Sequence, residues 1–149
     1  MDELSYRPMQ PQDLAKVVAL EQQAFSHPWS LSLYQDALTS YHCWVLEQQQ
    51  QHVGHGVIQV ILDEAHLLNI AVDKRLQGQG LGSQLLAFLM QQAEQLGATQ
   101  CFLELRASNQ AAYHVYESYG FNEIARRKNY YPAEQGMEDA LIMACLLGD

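Results

Sequence analysis

Residues 67–96 constrain this chain more than any other stretch, because three successive patterns in them fix a strand, a glycine turn and a helix in that order. Residues 67–72 form a short apolar run with β-branched Ile70 and Val72 and a turn signal after it, which suits a buried strand. Leu81, Leu85, Phe88, Leu89, Ala93 and Leu96 then recur at the spacing of one helical face. Between the two lies Gln77-Gly78-Gln79-Gly80-Leu81-Gly82. Glycines on alternate positions remove Cβ atoms, so several N–H groups can turn toward one bound group at close range. The unpaired N–H groups and positive dipole end of the following helix make that group an anion, with phosphate or pyrophosphate favoured. The spacing fits neither G-x-G-x-x-G nor G-x-x-x-x-G-K-[ST]. A turn that merely caps a core helix is the competing reading of these six residues.

At 149 residues the chain has the size of one domain, 1–149, with enough length to bury a core without staples. It has no run of eighteen apolar residues and no basic-then-apolar start, so neither a membrane span nor a signal peptide is indicated and a cytoplasmic protein is expected. Cys43, Cys101 and Cys145 are far apart in apolar surroundings, which argues for reduced core thiols and against a disulfide framework or C-x-x-C metal chemistry. The net charge of −9 repels nucleic-acid phosphate and anionic lipid and attracts cationic partners such as a basic peptide, although acidity for solubility alone would give the same count.

Along the chain, Tyr6 and Arg7 close a short strand before Pro8, and Pro11-Gln12-Asp13 opens a helix with Leu14, Val17, Val18 and Phe25 on one face. Ser30 caps a second helix with Leu31, Tyr34 and Leu38 at helical spacing. Trp29, at the junction of the two, is either core or a cleft wall, with core favoured. Residues 43–46, 53–62 and 67–72 read as an antiparallel meander, with the glutamine run 48–51 as a hairpin tip. His52, His55 and His66 lack a completing cysteine or carboxylate at ligand spacing and are read as surface or strand histidines, with no metal site.

The helix after the glycine turn ends at Gly97, and residues 101–105 form a buried-looking strand interrupted by Glu104. A carboxylate there is costly unless something uses it. It either serves chemistry or pairs with a cation such as Arg106. Ser108 caps a helix that closes at Gly120, and Asn109 and Tyr116, seven residues apart, share its face. Residues 121–128 and 140–146 are two last strands joined through a loop that carries Asn129-Tyr130-Tyr131-Pro132.

Asn69-Ile70-Ala71-Val72, the Q-x-x-G-x-G of Gln77, Gly80 and Gly82, Leu103 through Asn109, Tyr116-Glu117-Ser118-Tyr119-Gly120-Phe121, Asn129 through Pro132 and Glu138-Asp139-Ala140 together resemble the GNAT N-acetyltransferase family. Within it they are most similar to the group that acetylates the amino-terminal alanine of a bacterial ribosomal protein. The resemblance spans nearly the whole chain. Two departures are Gly78, where a basic residue often follows the glutamine, and Met137, where a polar one is usual.

The resemblance implies an α/β (α+β) fold, a mixed, mostly antiparallel twisted sheet of about seven strands with the fourth and fifth splayed, flanked by about four helices. It implies acetyl-coenzyme A as co-substrate and no metal. Backbone groups of Ile70, Ala71 and Val72 would hold pantetheine and thioester, and Asn109 the pantetheine arm. Gln77, Gly78, Gln79, Gly80, Leu81, Gly82 and Ser83 would hold the pyrophosphate. Glu104 would be the general base, Tyr116 the acid for the departing thiolate, and a backbone N–H at a bulge near Ala71 would polarise the carbonyl. Trp29, Tyr130 and Tyr131 would line the acceptor side. The acceptor implied is the basic amino terminus of a small-subunit ribosomal protein, attacked directly in a ternary complex. A lysine side chain or small amine is the alternative acceptor, and a coenzyme-binding regulator without turnover is the alternative of another class.

Overall fold

Apolar residues on consecutive positions of the central strands require cover on both faces, and the chain supplies it with helices on either side of one sheet. The computed structural model describes residues 3–148. Strand β1 (Leu4–Pro8) leads to helices α1 (Leu14–Ala24) and α2 (Leu31–Ser40), then to β2 (His42–Gln48), β3 (Gln51–Ile61) and β4 (Glu64–Val72). Helix α3 (Leu81–Gln95), β5 (Gln100–Arg106), α4 (Gln110–Tyr119), β6 (Asn122–Pro132) and β7 (Met137–Leu146) follow. The sheet order is β1-β2-β3-β4-β5-β7-β6, antiparallel except for the central β4–β5 pair.

Neighbouring residues of β2 and β3 point to opposite cores, as the strand period demands. Val45 and Val57 join Leu14, Val17, Tyr34 and Ala37 beneath α1 and α2, whereas Leu46 and Ile58 join Leu85, Leu89 and Phe121 beneath α3. Leu31 is the one member of the expected α2 stripe that turns outward; Ala37 takes the buried place. The glutamine run forms the expected hairpin tip, with Gln49 and Gln50 both at positive φ as a tight hairpin turn requires. Gly56 lets α3 approach β3, because a Cβ there would collide with Leu89 Cδ1.

The feature that makes a site is the middle of the sheet. Strands β4 and β5 pair from Glu64/Gln100 to Leu67/Leu103 and then separate, so the later residues of both strands border a gap. On its other edge β4 faces β3 with Val57 opposite Asn69 and Ile58 opposite Leu67, which leaves Leu68 as an extra residue. A bulge bends and over-twists its strand, so Leu68 turns β4 away from β5. The bulge was expected near Ala71; it lies three residues earlier.

Two further expectations change. The tyrosine segment is no loop: β6 runs on to Pro132, with its register broken between Arg127 and Tyr131 and Asn129 at φ +52°. Asn109, not Ser108, caps α4, its side chain accepting the Ala112 N–H at 3.2 Å while the Ser108 hydroxyl donates to Glu138 at 3.1 Å. The three histidines lie on strands, one of the two readings given them: His55 of β3 is wholly buried, whereas His66 of β4 stays part-exposed beside Glu64.

Candidate active site

Two clefts open along the gap between β4 and β5. The larger, about 600 Å³, is bounded by the end of α1, by Ile70, Ala71 and Val72 of β4, by the glycine turn and by α4 from Asn109 to Tyr116. Gly78, Gly80, Gly82 and Ser83 all face it, and a Cβ built on any of the three glycines would meet no atom of the described residues within 4 Å. At Gly78 and Gly80 the backbone is left-handed, φ +87° and +83°, which itself calls for glycine. Gly82 has neither that backbone nor a crowding neighbour, so glycine there leaves room for an outside group. Helix α3 starts at Gly80 with no capping side chain, so its first N–H groups are open to an anion. Gln77 reaches back to donate to the Val72 carbonyl at 3.3 Å and ties the turn to β4. Gln79 and Leu81 do not line the cleft, and the Leu81 side chain is in the core.

The smaller cleft, about 230 Å³, shares Ile70, Arg106, Asn109 and Tyr116 with the larger one and is closed by Trp29, Asn69, Glu104 and Tyr131. Glu104 is exposed rather than buried, because β5 presents it where β4 has moved away. Its proposed partner is engaged elsewhere: the Arg106 guanidinium donates to the Pro132 carbonyl at 2.7 Å and to Glu138 at 3.2 Å. Glu104 makes no hydrogen bond or ion pair among the described residues, which leaves its carboxylate free for a ligand. Tyr116 is 7 % exposed, packed edge-to-face on Phe121, and burial pushes its phenol well above the ordinary range, with Cys101 adding to the effect.

Trp29 satisfies both of its readings, its ring 5.2 Å from that of Tyr34 on the α1–α2 core while it also walls the smaller cleft. Tyr131 lies under the Arg106 guanidinium, 4.5 Å from its ring centre, and joins the cleft; Tyr130 turns away, exposed beside Arg127.

A family model described as the acetyltransferase (GNAT) family matches residues 14–121. The chain belongs to the GNAT family. Its fold agrees with that of the family, and so does the larger cleft, since GNAT acetyltransferases use acetyl-coenzyme A and the glycine turn and open helix start suit a pyrophosphate. The chain is 45% identical over 133 residues to the [ribosomal protein bS18]-alanine N-acetyltransferase of Escherichia coli, covering 89% of this chain and 90% of that one. It is 41% identical over 137 residues to the Haemophilus influenzae protein of the same name, covering 91% and 93%. The solved ribosomal-protein-S18-alanine N-acetyltransferase from Escherichia coli superposes with a TM-score of 0.92 at 40% identity, covering 99% of this chain and 96% of that one. A Salmonella typhimurium acetyltransferase solved with its cofactor acetyl-CoA shares the fold at TM-score 0.80 and 19% identity, covering 98% and 95%.

Sequence reasoning missed one part of this GNAT site. Glu21 of α1, 1 % exposed, is the acceptor for Tyr34, His55, Asn69 and the Trp29 backbone and borders the smaller cleft. The signal was present: Glu21 stands four residues after Val17 and seven after Leu14, on the apolar stripe of α1. Among the described residues no cluster of three His, Cys, Asp or Glu side chains could hold a metal ion, and no helix is long and apolar enough to cross a membrane.

Proposed function

We propose that this chain acetylates the amino-terminal α-amine of an alanine-first ribosomal protein, the reaction for which its Escherichia coli and Haemophilus influenzae relatives are named. The observation that supports it best is the meeting of the two clefts, where an unpaired carboxylate on β5 and a buried phenol on α4 border the same gap. Acetyl-coenzyme A, when bound, supplies an activated acyl carbonyl and a thiolate leaving group. The larger cleft fits it: Gly78 to Ser83 would take the pyrophosphate, and Ile70, Ala71, Val72 and Asn109 the arm that leads to the junction.

The acceptor amine needs help from the protein. An α-amine has a pKa of about 8, so at neutral pH roughly a tenth of it is unprotonated. Glu104 holds the ammonium and takes its proton, directly or through one water. Tyr116 answers the opposite need. Its burial keeps the phenol protonated at working pH, and the same surroundings raise the basicity of a thiolate, as buried Cys101 shows with its thiol pushed up to about 12. The firmly held Cys101 proton also makes that thiol a poor nucleophile, which supports direct transfer over an acetyl-cysteine intermediate. The charge of −9 favours a basic acceptor.

Incubation with acetyl-coenzyme A and the small-subunit ribosomal proteins, followed by mass spectrometry of the products, tests the reading. An acetyl group on an amino-terminal alanine supports it. Acetyl on lysine side chains alone would replace the acceptor, and coenzyme binding with no transfer would leave a regulatory module.

A further inference from the structure

We infer that Glu21 is a positioning residue for acetyl transfer, acting through Asn69 on the β4 backbone at Ile70 and through Trp29 on the acceptor wall. The inference rests on the reaction proposed above and concerns a buried cluster to which that mechanism assigns no part. A carboxylate has about four lone-pair sites, two on each oxygen. In Glu21 all are filled: Oε1 accepts from the Tyr34 hydroxyl at 2.7 Å and from His55 Nε2 at 3.0 Å, and Oε2 from Asn69 Nδ2 at 2.8 Å and the Trp29 N–H at 3.1 Å.

That saturation decides between two roles. Glu21 borders the acceptor cleft, so a second general base is the obvious reading. A base must have a free lone pair facing the proton it takes, and Glu21 has none without giving up a partner. Burial alone pushes its carboxyl upward, but the hydrogen bonds from His55, Asn69, Trp29 and Tyr34 outweigh it and hold the group below the ordinary range, ionised at working pH. It is a fixed negative hub.

The hub controls the strand at its weakest point. Asn69 spends one Nδ2 hydrogen on Glu21 and the other on Tyr34 at 2.9 Å, while its Oδ1 accepts the Ile70 N–H at 2.9 Å. Asn69 and Ile70 lie just past the Leu68 bulge, where β5 no longer pairs with β4. The ladder that would fix this backbone from the β5 side is missing, and the Glu21–Asn69 bond takes its place. Ile70 borders both clefts, so its position sets how the thioester end of one meets the amine end of the other. On the opposite side the Trp29 N–H bond pins the turn between α1 and α2 that forms the acceptor wall.

The test compares Glu21→Gln, Asn69→Ala and the double variant by coenzyme titration calorimetry, steady-state kinetics with an alanine-first basic peptide, pH–rate profiles and thermal unfolding. Misplacement of reacting groups by about 1 Å can cost ~10²-fold, so each single variant should lose kcat on that scale while coenzyme Kd moves less than about twofold. The double variant should lose no more than the worse single one, because both cuts sever one path. The acid limb of the pH–rate profile should keep its midpoint, with only the plateau lowered. A folded Asn69→Ala protein with wild-type kcat, losses that multiply in the double variant, or disappearance of the acid limb in Glu21→Gln would each overturn the inference. If Glu21→Gln fails to fold, Asn69→Ala alone decides. Failure of the underlying reaction is distinguishable, since wild-type protein would then not acetylate the peptide, and both readings would fall together.

Discussion

His52 carries a buried ring nitrogen, Nδ1, with no hydrogen-bond partner among the described residues, while its Nε2 lies 3.1 Å from His55 Nδ1. With His55 Nε2 donating to Glu21, a neutral His52 donates a hydrogen bond from its Nε2–H to His55 Nδ1 and keeps only a lone pair in the unpartnered place, a far cheaper arrangement than a buried N–H⁺. Burial, with the neighbouring His55 adding to it, pushes His52 down to about 4. The unfolded chain takes up that proton near 6.5, so the folded state holds its full advantage above that pH and loses it as the pH falls toward 4. The loss should approach at most ~3 kcal/mol, and His52→Gln should flatten it in urea titrations across this range. A second contrast concerns the two groups at the cleft junction. Glu104→Gln should slow transfer by ~10²–10⁴-fold and recover partly at high pH, where the amine is already neutral, whereas Tyr116→Phe should gain little from alkali. A Glu104→Gln enzyme at wild-type rate, with chemistry limiting, would place the base elsewhere. Local pattern singled both positions out, since Glu104 interrupts an apolar strand and Tyr116 sits two turns from Asn109, while the roles proposed for them came from the family resemblance. Glu21 escaped because its meaning depends on four donors from α2, β3, β4 and the α1–α2 turn, partners up to 48 residues away. No local window contains them.

At the scale of elements the glycine turn makes the sharpest prediction, because glycines in this chain serve opposite ends. Gly82→Val should leave the fold nearly intact, since no protein atom lies within 4 Å of the added Cβ, yet weaken coenzyme binding by ~1–3 kcal/mol as phosphate contacts are displaced. Gly56→Ala should do the reverse, forcing Leu89 aside and costing ~1–3 kcal/mol of stability. Calorimetry on folded Gly82→Val protein with unchanged affinity would reduce the turn to a helix cap. Strand β4, the turn and α3 were readable because each carries its own period and punctuation. The full length of β6 was not, since Asn129 at positive φ and Pro132 look like loop residues and are accommodated only by the register break against β7. Likewise the Leu68 bulge is a mismatch between two strands, visible only once β3 is alongside. The cap of α4 was displaced by one residue because Ser108 and Asn109 are both good caps, and Glu138, thirty residues on, claims the serine.

On the scale of the whole molecule, the sheet is a single layer of seven strands whose two parts, β1 to β4 and β5 to β7, meet through a ladder that stops at Leu67 and Leu103. Beyond that point each part has an inner edge, a row of backbone donors and acceptors lacking the neighbour that every other interior strand has. Such an edge in a domain's interior invites an extended molecule bearing amides of its own. The pantetheine arm of acetyl-coenzyme A is one, so binding would finish the sheet in the manner of an added strand. Those amide hydrogens of β4 and β5 that face the gap without a partner should therefore exchange faster in the free protein than with coenzyme present, while those of β2 and β3 hardly change. Saturation at about 100 times Kd should also raise the unfolding free energy by ~2.7 kcal/mol. The free protein would then be a sheet with a slot down its middle, stiffer when loaded, with the inner edge of β5 unpaired until the coenzyme closes the seam. Coenzyme before acceptor is the order of binding this predicts, and product-inhibition kinetics would check it.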